Sequence, residues 1–186
     1  MYEVEVKARL QNRNAVLKNL KDFGCKFSKE LHQVDYVFIP EGVIFPPPLG
    51  VGVLWVRKSN NQYFFTLKIP QSGRQDCIER ELEIMDGGKM IEIIKLLKYQ
   101  EAPIVNKKRI KTKLNDMVIE IDDVKNLGEF IEVEKIITHP DPEHRKNIQK
   151  ELCDFLEKLG IDKKDLLVNS KYDIMLFEKQ RGKQIL

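Results

Sequence analysis

The chain contains no run of about 18 uninterrupted apolar residues, so no membrane-spanning helix is expected. It has no CxxC pair and no zinc-ligand spacing. Its three cysteines, Cys25, Cys77 and Cys153, are odd in number and far apart, which argues against a disulfide framework and fits a reducing compartment. The opening MYEVEVKARL is charged from its third residue, so a secretory leader is not expected. Glycine motifs of the Walker or dinucleotide-binding type are missing. Charge of one sign is not in excess either: 32 Lys and Arg stand against 29 Asp and Glu, and the net charge of +3 gives no reason to expect a nucleic-acid partner. Together these absences predict a soluble, cytoplasmic protein with no membrane partner.

What is present is a chain of 186 residues, 42% hydrophobic and 33% charged, which fits one compact domain. At this length roughly 70% of the unfolded surface can be buried, so the core needs no disulfide or structural metal.

Tyr2 to Leu10 alternates strictly, with Tyr2, Val4, Val6, Ala8 and Leu10 on one side and Glu3, Glu5, Lys7 and Arg9 on the other, which predicts a half-buried strand. Asn12 or Asn14 can cap a short helix bearing Val16, Leu17, Leu20 and Phe23, with Gly24 as its stop. A second strand is expected over Cys25 to Ile39. The segment EGVIFPPPLGVG follows, and three consecutive prolines cannot donate to a ladder, so it reads as a loop or flap. Val53 to Lys58 and Tyr63 to Ile69 form a predicted hairpin, and Ile78 to Met85 a further strand. Gly88 to Lys98 is expected to be a mostly buried helix. Strands resume at Ile104 to Leu114, Val118 to Asp122 and Glu129 to Ile137. Asp141, Pro142 and Gly160 then delimit a helix whose buried face is Ile148, Leu152, Phe155, Leu156 and Leu159. Leu166 to Phe177 reads as a short helix.

Successive residues of a strand point to opposite sides, and here the polar sides carry charge of largely one sign per strand. They are Glu3, Glu5, Lys7 and Arg9; Arg57 beside Trp55; Lys68 beside Thr66; Glu79, Glu81 and Glu83; Lys107, Arg109, Lys111 and Lys113; Glu120 and Asp122; and Glu132 and Glu134. One such strand is ordinarily a solvated face. Several in succession place like charges roughly 6.6 to 7 Å apart along each strand, so acidic and basic strands are expected to meet in one concave space. Acidic clusters there suit divalent cations through oxygen ligands, and lysines and arginines suit a polyanion.

These residues also carry a family resemblance. Glu3-Val-Glu5-Val-Lys7 resembles the ExExK signature of the CYTH superfamily, which unites CyaB-type class IV adenylyl cyclases with thiamine triphosphatases and inorganic triphosphatases. The likeness continues through Gln33-Val-Asp35-Tyr36, Leu54-Trp55-Val56-Arg57, Thr66-Leu67-Lys68, Arg80-Glu81-Leu82-Glu83, Lys107-Lys108-Arg109, Glu120-Ile121-Asp122, Leu127-Gly128-Glu129-Phe130 and Ile131-Glu132-Val133-Glu134. It implies an α+β fold: an eight-stranded antiparallel β-barrel, the triphosphate tunnel, with helices packed outside and charge inside. The whole chain, 1–186, would be one such domain, with 1–137 giving most tunnel strands and two helices and 138–186 a C-terminal helical closure.

Position by position, the resemblance implies that Lys7, Arg57, Lys68, Lys107 and Arg109 bind phosphate. It implies that Glu3, Glu5, Asp122, Glu132 and Glu134 associate with Mg²⁺ or Mn²⁺, that Glu81, Glu83 and Glu120 complete the tunnel, and that Lys68 and Glu5 are the candidates for catalysis. Two departures stand out. The family's Leu-Arg-x-Arg is here Leu54-Trp55-Val56-Arg57, so an indole replaces a guanidinium and offers a surface to a base or other substrate moiety. The closing Ser-Tyr pair is here Ser170-Lys171-Tyr172. The implied function is a divalent-metal-dependent enzyme, either a lyase that converts ATP to cAMP and pyrophosphate or a hydrolase of tripolyphosphate, thiamine triphosphate or a nucleoside triphosphate. The competing class is a non-catalytic polyphosphate, nucleotide or RNA binding module, with the basic Lys107 to Lys113 strand as its nucleic-acid patch. A homodimer and the role of the 40–52 proline loop are left open, and a histidine metal site at His139 and His144 is not expected.

Overall fold

Strand β1 (Tyr2–Arg9) shows how the alternation is used. Val4, Val6 and Ala8 are buried in an apolar layer, while Glu3, Glu5 and Lys7 face the other way. The computed structural model describes residues 1–139, 141–167 and 170–182. Its further elements are α1 (Arg13–Asp22), β2 (Leu31–Pro40), β3 (Val53–Ser59), β4 (Gln62–Gly73), β5 (Asp76–Ile84), α2 (Gly87–Leu96), β6 (Tyr99–Glu101), β7 (Val105–Leu114), β8 (Met117–Val124), β9 (Gly128–Ile137), α3 (Pro142–Lys158), β10 (Leu166–Leu167) and α4 (Tyr172–Gln180).

The strands pair antiparallel in the order β1-β5-β4-β3-β2-β7-β8-β9, and β9 returns to β1 through eight register pairs from Tyr2↔Ile137 to Arg9↔Phe130. Eight strands therefore form a ring, with β6 beside β2 and β10 beside β1. A ring has an inside and an outside, and the period of two assigns every residue to one of them.

The outward residues carry the apolar core. Val16 and Leu20 of α1 and Leu152 and Leu156 of α3 join Ile119, Ile121, Ile131 and Val133 in the largest cluster. Burying each such side chain is worth about 1.5 to 3 kcal/mol, so the helices hold the ring from outside. Asn12 caps α1 by accepting from the Ala15 amide, and Asp141 caps α3 by accepting from Glu143 and His144, with Pro142 at its first position. Gly24 and Gly160 follow α1 and α3 with φ of +83° and +87°, the left-handed conformation that a helix stop requires. Helix α4 packs on Val105, Val124 and Phe130, which belong to the lumen-facing set of β7, β8 and β9, and so closes that end of the ring.

Three expectations are corrected. The second strand begins at Leu31 rather than Cys25: the Cys25 amide bonds the Leu20 carbonyl as part of the α1 stop, and Ser28 bonds Lys111, so this stretch is a connection. Helix α2 exists but is not mostly buried. Ile94 sits in the cluster with Leu54 and Val56, whereas Ile93, Leu96 and Leu97 are 49%, 81% and 63% exposed, because ten residues can cover only part of β3 and β4. The C-terminal helix starts at Tyr172, after the two-residue β10; positions 168 and 169 of the segment expected to be helical lie outside the described residues. The proline loop carries no strand, and it rests against α4 through an edge contact of Phe45 with Phe177.

Candidate active site

The inward residues line an open cavity of about 120 Å³. Lys7, Arg57, Lys68, Lys107, Arg109 and Trp55 all border it, as do Glu3, Glu5, Glu132 and Glu134. Asp122 is fully buried behind Arg109. Glu81 and Glu120 also border the cavity, while Glu83 lies outside it, exposed, and accepts from Gln62.

Register explains how so many charges coexist. Strands of like charge are placed beside strands of opposite charge, so repulsion along a strand is relieved across it. Lys7 lies opposite Glu132, Asp35 opposite Arg57, Lys68 opposite Glu79, Arg109 opposite Asp122 and Lys111 opposite Glu120. The side chains follow. Arg57 donates to both oxygens of Asp35, at 2.6 and 3.2 Å. Lys68 reaches Glu3 at 2.9 Å and Glu79 at 2.8 Å. Arg109 is shared among Asp122, Glu120 and Glu132, and Lys7 contacts Glu132. Lys107 stands 3.7 Å from both Asp35 and Asp122.

Within the lumen, two cross-strand pairs among the described residues break the pattern: Glu120↔Glu132 and Glu5↔Glu134. Arg109 neutralises the first. At the second, Glu3, Glu5 and Glu134 converge with carboxylate oxygens all within 4.8 Å of one another. Lys68 pairs with Glu3, and Lys171 pairs with Glu5 at 2.9 Å, but Glu134 has no ion pair among the described residues. The five acids expected to serve a metal therefore divide. Glu3, Glu5 and Glu134 form a cluster of oxygen donors, whereas Asp122 and Glu132 act as counter-ions to Arg109 and Lys7.

The titration behaviour matches this division. Burial raises the Glu134 carboxyl to about 8, with Glu120, Glu3 and Glu5 adding to the effect. Burial acts the same way on Asp35 and Glu120, but Arg57 and Lys107 overcome it at the first and Arg109 and Lys111 at the second, holding each near 2. Burial lowers Lys7 to about 7 and Lys107 to about 8. Lys68 goes the other way: Glu3 and Glu79 outweigh its burial and hold it well above the usual lysine range, so it is a fixed cation at neutral pH.

Sequence reasoning left Lys111, Lys171, Tyr172, Glu79 and Asp35 out of the proposed site. Lys111, Glu79 and Asp35 were findable, since each lies on a charged strand face or within a quoted motif. Tyr172 and Lys171 enter from the start of α4, where strand alternation gives no signal and only the quoted Ser170-Lys171-Tyr172 motif points to them. Tyr172 lies under two ammonium groups, with Lys7 4.0 Å and Lys107 5.3 Å from its ring centre. His139 and His144 meet edge to face with ring centres 5.1 Å apart, and neither belongs to the tunnel lining.

An antiparallel ring with an apolar exterior and a lumen of paired charges plus one acidic cluster defines a tunnel-type fold with a charged interior. The CYTH domain model matches residues 1–170, and the chain belongs to this family. A putative adenylate cyclase of Methanocaldococcus jannaschii is 31% identical over 176 residues, which cover 94% of this chain and 98% of that protein. The structure of a Pyrococcus horikoshii OT3 protein, 29% identical, matches with a TM-score of 0.74 over 91% of this chain and 96% of its own. The fold is also shared with a Hippeastrum protein described as a putative adenylyl cyclase with a dominant triphosphatase activity, at 15% identity and a TM-score of 0.55, covering 100% of this chain and 98% of that one. No helix among the described residues is long and apolar enough to cross a membrane.

Proposed function

We propose that the protein is a divalent-metal-dependent enzyme that cleaves a phosphoanhydride bond of a triphosphate held in the tunnel. The observation that carries this reading is the joining, in one cavity, of the Glu3, Glu5 and Glu134 oxygen cluster with Lys7, Arg57, Lys68, Lys107 and Arg109. A triphosphate with its cation needs both. Carboxylate oxygens are the donors that Mg²⁺ and Mn²⁺ prefer, and the burial that raises Glu134 to about 8, with Glu120, Glu3 and Glu5 adding to it, is a cost that a bound cation would relieve. When bound there, such an ion supplies Lewis-acid stabilisation of phosphoryl oxygens.

The chain's own residues supply the rest. Arg57 and Arg109 present planar guanidinium groups, fixed in place by Asp35 and Asp122, and Lys68 holds a permanent positive charge beside the acid cluster. Lys7 and Lys107, lowered by burial, would regain full charge as a polyanion enters. Glu5 faces Glu134 across the β1–β9 pair, and its carboxylate is our candidate for orienting an attacking hydroxyl or water. Cyclisation of ATP, with the ribose 3′-hydroxyl attacking the α-phosphorus, is supported by the likeness to the Methanocaldococcus protein. Hydrolysis, with water attacking the terminal phosphorus, uses the same phosphate contacts.

Incubation with ATP, tripolyphosphate and thiamine triphosphate plus Mg²⁺ or Mn²⁺, with products identified by ³¹P NMR, tests the proposal. EDTA should abolish turnover, and Glu134→Gln should lower kcat by about 10²-fold or more if the cluster orders the cation. Equal turnover in EDTA and in Mg²⁺ overturns the metal assignment.

A further inference from the structure

Among the described residues, Lys171 is the one basic residue bordering the tunnel that no strand delivers. It is the N-cap of α4, and Met175 and Leu176 of that helix pack against Val105, Val124 and Phe130 of the ring. The helix therefore fixes where the side chain starts. From there the ammonium enters the acid cluster: Nζ lies 2.9 Å from Glu5 Oε1, with the lysine side chain 13% exposed. Glu5 is one of the three acids whose oxygens converge with those of Glu3 and Glu134.

Two lysines thus reach the cluster, and they are not equivalent. Lys68 pairs with Glu3 but also with Glu79 outside the cluster, so it can give up the first and keep the second. Lys171 pairs with Glu5 alone among the described residues. A cation that draws the Glu5 oxygens to itself leaves the Lys171 ammonium without its counter-ion, and a buried charge stripped of its partner is costly. Other acids of the lumen are already taken, Asp35 by Arg57, and Asp122 and Glu132 by Arg109. An oxygen of a phosphate chain in the cavity supplies the missing partner. A flexible four-carbon stem with three donors can turn from Glu5 to it while the helix stays in place.

We propose that Lys171 couples the two ligands of the tunnel: it competes with a divalent cation for Glu5, and once displaced it pairs with the phosphate chain. This rests on the tunnel reading above, which supplies both ligands. Cation and phosphate chain then bind more tightly together than either does alone, and the coupling is reciprocal, as linkage between two binding sites requires. The tunnel is accordingly built to load the cation–phosphate complex in preference to the bare ion.

Wild type is compared with Lys171→Met, which removes the charge, and Lys171→Arg, which keeps it. Mn²⁺ alone is titrated by electron paramagnetic resonance of the free ion, and hydrolysis-resistant, methylene-bridged tripolyphosphate by calorimetry in saturating Mg²⁺. Lys171→Met should bind Mn²⁺ about tenfold more tightly than wild type and the tripolyphosphate analogue about tenfold more weakly, while Lys171→Arg stays within about threefold of wild type for both. A lysine that only seated α4 would move both affinities in one direction or neither. Mn²⁺ binding by Lys171→Met that equals or falls below wild type overturns the competition. A gain for Mn²⁺ with the analogue bound as tightly as before overturns the transfer to phosphate, and with it the coupling. Either result leaves the tunnel reading standing, whereas binding of neither ligand by any of the three proteins overturns both. If Lys171→Met does not fold, ¹⁵N NMR of the lysine ammonium groups replaces it: the Lys171 resonance, identified by its loss in Lys171→Arg, should shift when Mg²⁺ is added and again with the analogue. A resonance that Mg²⁺ leaves in place overturns the inference.

Discussion

Arg109→Ala is expected to lower the stability of the fold by about 3 to 5 kcal/mol, before its effect on phosphate binding can be read. The side chain is 4% exposed and its guanidinium is shared by Asp122, Glu120 and Glu132 from two neighbouring strands. Removing it leaves three carboxylates facing one another in the ring wall with only Lys7, Lys107 and Lys111 to compensate. Motif reasoning alone, which treats Arg109 as a phosphate ligand, would expect lost turnover in an intact protein. The structure assigns it a second task as the cation that holds β7, β8 and β9 together. Lys111→Ala provides the contrast. Among the described residues it pairs with Glu120 alone, at 2.6 Å, and its side chain is 38% exposed, so about 1 kcal/mol or less is at stake. Urea denaturation of both variants beside wild type checks the ordering. An Arg109→Ala midpoint within about 1 kcal/mol of wild type would show that the three acids do not depend on it.

The legibility of this fold in the sequence follows from its geometry. In a closed ring the period of two is the only rule needed to separate lumen from exterior, and β1, β7, β8 and β9 obey it along nearly their full length. The face that carries Lys107, Arg109 and Lys111 is therefore visible in the chain alone. Which face meets which was not visible. Alternation says nothing of register, and the pairing of Lys7 with Glu132 or Arg57 with Asp35 is set by hairpin geometry and by which strands become neighbours on closure. Acidic and basic strands meet in one lumen as their charged faces imply; opposite charges face each other at most of its positions, and excess negative charge survives chiefly at Glu3, Glu5 and Glu134. Short elements were lost for a related reason. Tyr99–Glu101 and Leu166–Leu167 have too few residues to show a period, and Lys171 acquires its place only because α4 folds back on the ring.

In EDTA, stability is expected to fall as pH rises from 5 to 7, the reverse of what carboxylates usually confer. Asp35 and Glu120, held near 2, are ionised in both folded and unfolded chains over this range, and their contribution is lost only as pH falls from about 4.5 toward 2. Glu134 behaves oppositely. Its folded carboxyl sits near 8 and its unfolded one near 4.5, so between these values the folded state binds more protons. Stability then decreases with pH at up to about 1.4 kcal/mol per unit, or about 2 to 3 kcal/mol from pH 5 to 7. Lys7 and Lys107 act in the next window. Lowered to about 7 and about 8, they bind fewer protons folded than unfolded up to the ordinary lysine value of 10.5, so they raise stability with pH above about 7 and turn the profile upward. The curve should pass through a minimum near pH 7 to 8. For a chain of this size the fall corresponds to roughly 5 to 10 °C in Tm. Mg²⁺ should stabilise strongly at pH 7.5, where it binds the ionised cluster, and weakly at pH 5, where Glu134 keeps its proton. Glu134→Gln removes the repulsion, so it should flatten the descent and melt higher than wild type in EDTA at pH 7.5 while losing turnover, a trade of activity for stability at one residue. Thermal melts of both proteins from pH 5 to 8.5, with and without Mg²⁺, decide the matter; a wild-type Tm that is level or rising between pH 5 and 7 in EDTA would mean that Glu134 is ionised and that the acid cluster is not under electrostatic stress.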